Sequence, residues 1–415
     1  MAQDCHNAFR FKRVYVGKDF GVPFISSSEI NSLRPRVESY LSRKLTDKLE
    51  KLLICKNDVL VSCSGTIGNV GLAGRRLDGF ALSQHSIRIR MQEPEVAGYL
   101  AAFLRSRYGR LQLRSSVYGS VVDHIEPSHL QNVYVPRLGK YKEYQIGDAY
   151  LFAVAKRDDA NDLIDKAIQR VIAGVKLPPF ESLSLSTAKT DRNTIRLSQI
   201  ADRFEGTYHN AIAYAAEAEL RKLEIRPITK FRKRTFVQSG GIPLFSSKQL
   251  FQVDPVDIKR LAKGAHNKDL GEIALEQNMI VLTRSGTIGR VNIVPKYMVG
   301  WAASEHATRI IARNDFIGGY IFSWLASDYG QCLIRRHSYG SVILEIDKDM
   351  IEAVPIPKAA ESLISSVGGL VLEANKLRDE AWRSETKLVQ EIESTIQHHA
   401  DRNSARKSVK AESRR

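Results

Sequence analysis

Two sets of residues have the makings of a nucleophilic centre. Ser64, His85 and Glu126 recur as Ser285, His306 and Asp347, a serine, a histidine and an acid in the same order. In a hydrolase such a serine attacks a carbonyl, the imidazole takes its proton and the acid orients the imidazole. That chemistry needs the three groups within hydrogen-bond reach, which spacing alone does not supply. The flanking residues do not form the G-x-S-x-G elbow, and paired hydrolytic centres in one chain would be unusual. Serine and threonine at a turn more often satisfy backbone groups, so no catalytic residue is expected. Metal binding has less support. His124 and His129 are matched by Glu345 and Met350, and no cysteine pair accompanies them. Gly65–Gly68 is not a phosphate-binding loop, because the lysine and its spacing are missing.

These residues sit on a repeated frame. Val59–Gly68, VLVSCSGTIG, returns as Ile280–Gly289, IVLTRSGTIG, 221 positions later. An apolar run, a small polar residue and then Ser-Gly-Thr-Ile-Gly reads as a strand entering a tight turn. The same offset relates Arg88 to Arg309, Gly98-Tyr99 to Gly319-Tyr320, Arg114 to Arg335 and Pro136 to Pro357. It also relates Tyr118-Gly119-Ser120-Val121 to Tyr339-Gly340-Ser341-Val342. A repeat of this length predicts two similar domains, each with its own core, rather than a stacked solenoid.

Composition narrows the partners. The chain has 415 residues, of which 43% are hydrophobic and 26% charged, with four cysteines and no CxxC spacing. That composition and reduced thiols point to a cytoplasmic, globular protein. No apolar run reaches the roughly 18–20 residues of a membrane span, and the N-terminus lacks a signal-peptide core. The formal net charge of +16 suits a polyanion, of which nucleic acid is the commonest.

Each copy should close on a strand ending in proline, NVYVPR and AVPIPK, and then change character. Tyr141–Val175 and Ala359–His399 contain no proline and carry apolar residues at heptad spacing. One row is Leu363, Leu370 and Leu377; the other is Val367, Ala374, Ala381 and Leu388. The first segment answers with Ile146, Ala153, Ala160 and Ala167, plus Ala149 and Leu163. Two long helices pairing as an antiparallel coiled coil are predicted. Ile195–Leu220 opens the second copy, and the first has no room for its equivalent. The first domain is therefore expected either to lack an opening strand and helix or to be completed by another segment.

These features together resemble the specificity subunit of type I restriction–modification enzymes. The resemblance rests on the paired SGTIG turns, the following S-x-H, the YGSV run, the closing VPxP, the long helices and ADRFEGTYH (Ala201–His209). It covers almost the entire chain. It implies an α+β protein with target-recognition domains at 1–140 and 195–358 and spacer helices at 141–176 and 359–400. A linker at 177–194 and a basic disordered tail at 401–415 complete the division. It further implies a non-catalytic reader of bipartite double-stranded DNA that docks two methyltransferase subunits and restriction subunits. S-adenosylmethionine, ATP and Mg would sit on those partners, with no cofactor in this chain. The alternative is a duplicated scaffold that binds protein.

Duplication also sorts the candidate DNA contacts. Domains reading different half-sites must differ where they touch bases, but share phosphate contacts and scaffold. The shared candidates are Ser64, Thr66, Arg114, Tyr118 and Ser120, with Ser285, Thr287, Arg335, Tyr339 and Ser341. The unshared ones are Arg34, Arg36, Lys44, Arg75 and Arg76 in the first copy. In the second they are Lys259, Arg260, Lys263, His266, Arg284 and Arg290. Arginine can read guanine through two acceptors.

Overall fold

The computed structural model describes residues 2–37, 39–115, 124–175, 216–217, 224–227, 234–266, 268, 270–336, 338–339 and 344–412. It divides into two units. Unit 1 comprises Met1–Asp158, Gln252–Val256 and Glu380–Arg415; unit 2 comprises Asp159–Phe251 and Asp257–Asp379.

Unit 1 holds two four-stranded sheets. In the first, β1 (Ala2–Asn7), β8 (Ser86–Met91), β5 (Val59–Ser62) and β6 (Val70–Leu72) pair antiparallel in that order. In the second the order is β2 (Tyr15–Val16), β4 (Ser39–Ser42), β3 (Gly21–Ile25) and β7 (Ala81–Leu82), with β3 and β7 parallel. Helices α1 (Pro94–Arg105), α2 (Arg107–Ser115) and α3 (Pro127–Gln131) follow. Val59 and Val61 on β5 and Ile87 and Ile89 on β8 alternate onto one face and pack against α1 through Ala101, Phe103 and Leu104. The long helix α4 (Lys140–Gly174) comes next.

Unit 2 repeats the plan. After β9 (Ala216–Glu217), the first sheet is β10 (Glu224–Pro227), β17 (Ala307–Ile311), β14 (Ile280–Thr283) and β15 (Val291–Ile293). The second is β11 (Phe236–Val237), β13 (Lys259–Leu261), β12 (Ile242–Phe245) and β16 (Ala302–Ala303), again with one parallel pair. Short helices α5 (Lys263–His266) and α6 (Leu270–Ile273) lie in the segment that differs between copies. Helices α7 (Asp315–Ala326), α8 (Asp328–Arg336) and α9 (Lys348–Glu352) precede β18 (Ile356–Pro357) and the long α10 (Glu361–Glu412).

The duplication extends to single hydrogen bonds. The Tyr99 hydroxyl donates to the Pro136 carbonyl at 2.7 Å and that of Tyr320 to Pro357 at 2.9 Å. Ser106 and Ser327 each donate to the carbonyl three residues back, at 2.6 Å. In each unit a glycine of α1 or α7 lies against a glycine of the long helix, Gly98 on Gly147 and Gly319 on Gly368. Without side chains there, backbone approaches backbone directly.

Within each unit the two long helices run antiparallel. In unit 1 Lys142 pairs with Glu391, Lys156 with Glu380 and Arg157 with Glu385. In unit 2 Asn161 accepts from Arg378 and Arg170 donates to Ser366, while Gly174 abuts Leu363. One predicted row is buried: Ile146, Ala153, Ala160 and Ala167, with Val367, Ala374, Ala381 and Leu388. The second row differs from expectation. Leu363, Leu370 and Leu377 are half-buried and Ala149 is exposed. The other buried row is instead Tyr150, Ile164 and Val171, with Val371, Arg378, Glu385 and Ile392. Charged residues in that seam break the apolar pattern from which a heptad is read. A second correction concerns the end of the chain. Helix α10 runs to Glu412, into the stretch expected as a disordered tail from 401. From Leu370 onward it contains neither glycine nor proline to stop it.

Candidate nucleic-acid interface

The turn after β5, and its equivalent after β14, is built alike. Ser62 Oγ donates to the Thr66 carbonyl at 2.5 Å, and Thr283 Oγ1 to that of Thr287 at 2.6 Å. Gly65 and Gly68 have φ of 75° and 95°, and Gly286 and Gly289 have 76° and 80°. Both turns need that left-handed backbone, which glycine adopts without strain. The Cys63 N–H donates to the His85 carbonyl at 3.0 Å and the Arg284 N–H to that of His306 at 2.9 Å. The next crossing is shared too, from the Ile125 N–H to Cys63 and from the Ile346 N–H to Arg284.

The serine–histidine–acid sets lie on this frame and differ on it. Ser64 Oγ sits 2.7 Å from His85 Nδ1, so a dyad forms in unit 1. Glu126 closes a capping box at the start of α3, where its own N–H donates to His129 Nδ1 at 2.9 Å. In unit 2 Asp347 accepts the Tyr339 hydroxyl at 2.8 Å and faces Arg284 at 3.4 Å. Burial and the Asp347 and Glu345 carboxylates push the Tyr339 phenol up to about 12, which keeps it a donor. Geometry thus draws the acids into a helix start and a tyrosine–arginine cluster. Among the described residues no group of three histidine, cysteine or acidic side chains is disposed to hold a metal ion.

The candidate contacts fall into three groups. Lys44, Arg75, Arg114, Lys259, Lys263, Thr287 and Arg335 are exposed. Thr66, Arg34, Arg36, Arg76, Arg260, Ser285 and Arg290 are half-buried, with Arg290 stacked 4.8 Å from the Phe251 ring centre. The structure takes one residue out of the base-reading set. His266 is 3% exposed, and its Nε2 accepts the Thr235 N–H at 3.1 Å. Arg284 is half-buried and faces Asp347 at 3.4 Å. Tyr118, Ser120 and Ser341 lie outside the described residues. Lys259 begins β13, 5.5 Å from the Phe236 ring centre, and Lys263 opens α5.

Two shared arginines have a role that the sequence reading passed over. Arg88 and Arg309 are buried within β8 and β17. Arg88 donates to the Leu53 carbonyl, and Arg309 donates to Ala274 at 2.9 Å and to Gly271 at 3.3 Å. They tie the variable segment back to the sheet. Their signal was a charged residue inside an apolar strand, at the same place in both copies.

No family model matches the chain, and no curated protein matches it. Solved structures do. One is a type I restriction-modification system S subunit from M. genitalium, with 13% identity and a TM-score of 0.33 over 95% of this chain and 94% of that one. Another is an HsdS subunit from Thermoanaerobacter tengcongensis, with 13% identity and a TM-score of 0.29 over 92% and 93%.

Proposed function

We propose that this chain is the DNA-reading specificity subunit of a type I restriction–modification complex. The observation that carries the reading is one hydrogen-bonded frame written twice, each time mounted on a long helix by a glycine–glycine contact. On that frame the segments after β3 and β12 differ and are rich in lysine and arginine. Two equivalent domains with unlike basic segments suit a bipartite site, with shared residues positioning the backbone and unshared ones reading bases. The paired helices act as the spacer and as the seat of two methyltransferase subunits, with restriction subunits joining them. Methyl transfer and ATP-dependent cleavage belong to those partners, which hold S-adenosylmethionine, ATP and Mg. This chain is non-catalytic and works in the cytoplasm; no described helix is long and apolar enough to cross a membrane.

Equilibrium binding to duplex DNA against salt, with methyltransferase subunits present, tests the reading. If about six phosphates are neutralised, affinity falls on the order of a thousandfold between 50 and 200 mM salt. A flat response overturns it. The protein-scaffold reading predicts that flat response.

A further inference from the structure

Each copy shows solvent an aromatic ring at the same point of its second sheet. Lys12-Arg13-Val14-Tyr15-Val16 returns at the 221-residue offset as Lys233-Arg234-Thr235-Phe236-Val237. Tyr15–Val16 and Phe236–Val237 are β2 and β11, the end strands of those sheets. Tyr15 stands opposite Leu41 and Phe236 opposite Leu261, and both leucines are fully buried. The two rings nevertheless remain 51% and 43% exposed. A single exposed ring is ordinary on a protein surface. Here the ring recurs at one register of two sheets whose neighbouring segments have diverged, so its use belongs to what the copies share.

A cation accompanies each ring. In unit 1 the Arg13 guanidinium lies 5.3 Å from the Phe24 ring centre, and Tyr15 tilts onto the same ring at 6.3 Å. Phe24 is itself buried, so it fixes both. In unit 2 Lys259 lies 5.5 Å from the Phe236 ring centre, and Arg234 meets Glu305. Charge alone would protect a sheet edge, and it needs no apolar ring beside it. Ring and cation together match a partner that sets flat apolar faces between regular negative charges. The sugar–phosphate strand of duplex DNA is built that way, and the chain's charge of +16 complements it.

We propose that the two edge strands grip the DNA backbone: Tyr15 and Phe236 pack on deoxyribose, and Arg13 and Arg234 take the adjoining phosphates. Because both copies carry the device, it positions the duplex and does not read sequence. The inference rests on the DNA-reading function proposed above, and names residues and a role that reading does not assign.

The test uses the full chain with methyltransferase subunits and a duplex carrying its selected site. Tyr15→Ser and Phe236→Ser should each weaken binding about tenfold, within the range for losing one aromatic contact to a nucleic acid. The preferred sequence and the salt slope should stay as in wild type, and Tyr15→Phe should bind like wild type. Arg13→Gln should instead lower the slope of log affinity against log salt by about 0.9, the loss of one phosphate contact. Arg13 is chosen because the counterpart of Glu305 is the neutral Gln84. Circular dichroism reports the fold of each variant. Benzoylphenylalanine in place of Tyr15 or Phe236 should cross-link to the bound duplex, a readout that does not depend on the serine variants. If wild type binds DNA with a steep salt response, but folded serine variants bind equally well or neither position cross-links, the inference fails and the DNA-reading function stands. Altered base preference in a serine variant overturns the backbone role. A wild-type complex that binds no DNA overturns both.

Discussion

In unit 1 the seam between the long helices sets charge against charge. Glu385, 0% exposed, accepts from Arg157 and, at 2.7 Å, from Arg105. Arg105 also meets Asp254 at 2.7 Å, and Arg110 reaches the same carboxylate. Burial would push the Asp254 carboxyl up, but the two guanidiniums outweigh it and hold it below the usual range. At the equivalent of Arg157, unit 2 has Arg378, whose guanidinium donates instead to the amide oxygens of Asn161 at 3.0 Å and Asn292 at 3.2 Å. Several bonds of the strands and turns repeat in both units, whereas the polar groups under the long helices do not. A duplicated frame is free to diverge where its solution is local. A polar group inside a helical seam also has a partner at only one alignment, which disfavours slipped pairings.

The sharpest way to break this comparison is to remove one carboxylate. Glu385→Ala leaves Arg105 and Arg157 facing a void, and removing one partner of a buried pair costs about 3–5 kcal/mol. Arg378→Met in unit 2 removes hydrogen bonds to neutral amides, and the acceptors left behind cost about 1–3 kcal/mol. Urea unfolding of both variants should show the first as clearly the more destabilised. Equal losses would mean that the two seams are energetically alike.

Smaller effects sharpen what is shared. A Cβ on Gly98 would meet the Gly147 carbonyl, and one on Gly319 would sit 2.8 Å from the Gly368 Cα. Gly98→Ala and Gly319→Ala should each cost about 1–3 kcal/mol, as overpacking does. Thermal melts showing that only one is sensitive would break the equivalence of the two mounts.

The pH response should separate the units again. Burial raises the Glu143 carboxyl, but hydrogen bonds from Arg137 and from the Leu138 N–H more than reverse this and hold it below its ordinary value. Its equivalent in unit 2 is Ile364. A depressed folded value means stability that is present above the unfolded pKa of about 4.3 and lost as pH falls through the folded one. The melting temperature of wild type should therefore drop more steeply below about pH 4 than that of Glu143→Gln. Parallel curves would remove Glu143 from the acid response.

Much of the frame was legible because it was written twice. A constant offset made SGTIG, Tyr99 with Tyr320 and Pro136 with Pro357 stand out, and each proved to hold a repeated bond. The helix seam was only half legible. Alanines at seven-residue spacing reveal one row, whereas Arg157, Arg378 and Glu385 hide the other, because a charge reads as surface until its partner is known. Those partners, Arg105 and Asn292, come from other elements of the fold. His266 was misread for the same reason, since a basic residue in a variable segment gives no sign that a distant N–H, that of Thr235, is waiting for it.

The central claim is that two equivalent frames carry two different texts. Site selection from a random duplex library, with methyltransferase subunits present, tests it most directly. Wild type should enrich a site with two defined halves separated by an undefined gap. A chain carrying Lys259→Ala and Lys263→Ala, both exposed and confined to the second copy, should lose definition in one half and keep the other. A folded variant that loses both halves together, or a wild-type chain that enriches a single unbroken site, would contradict the account.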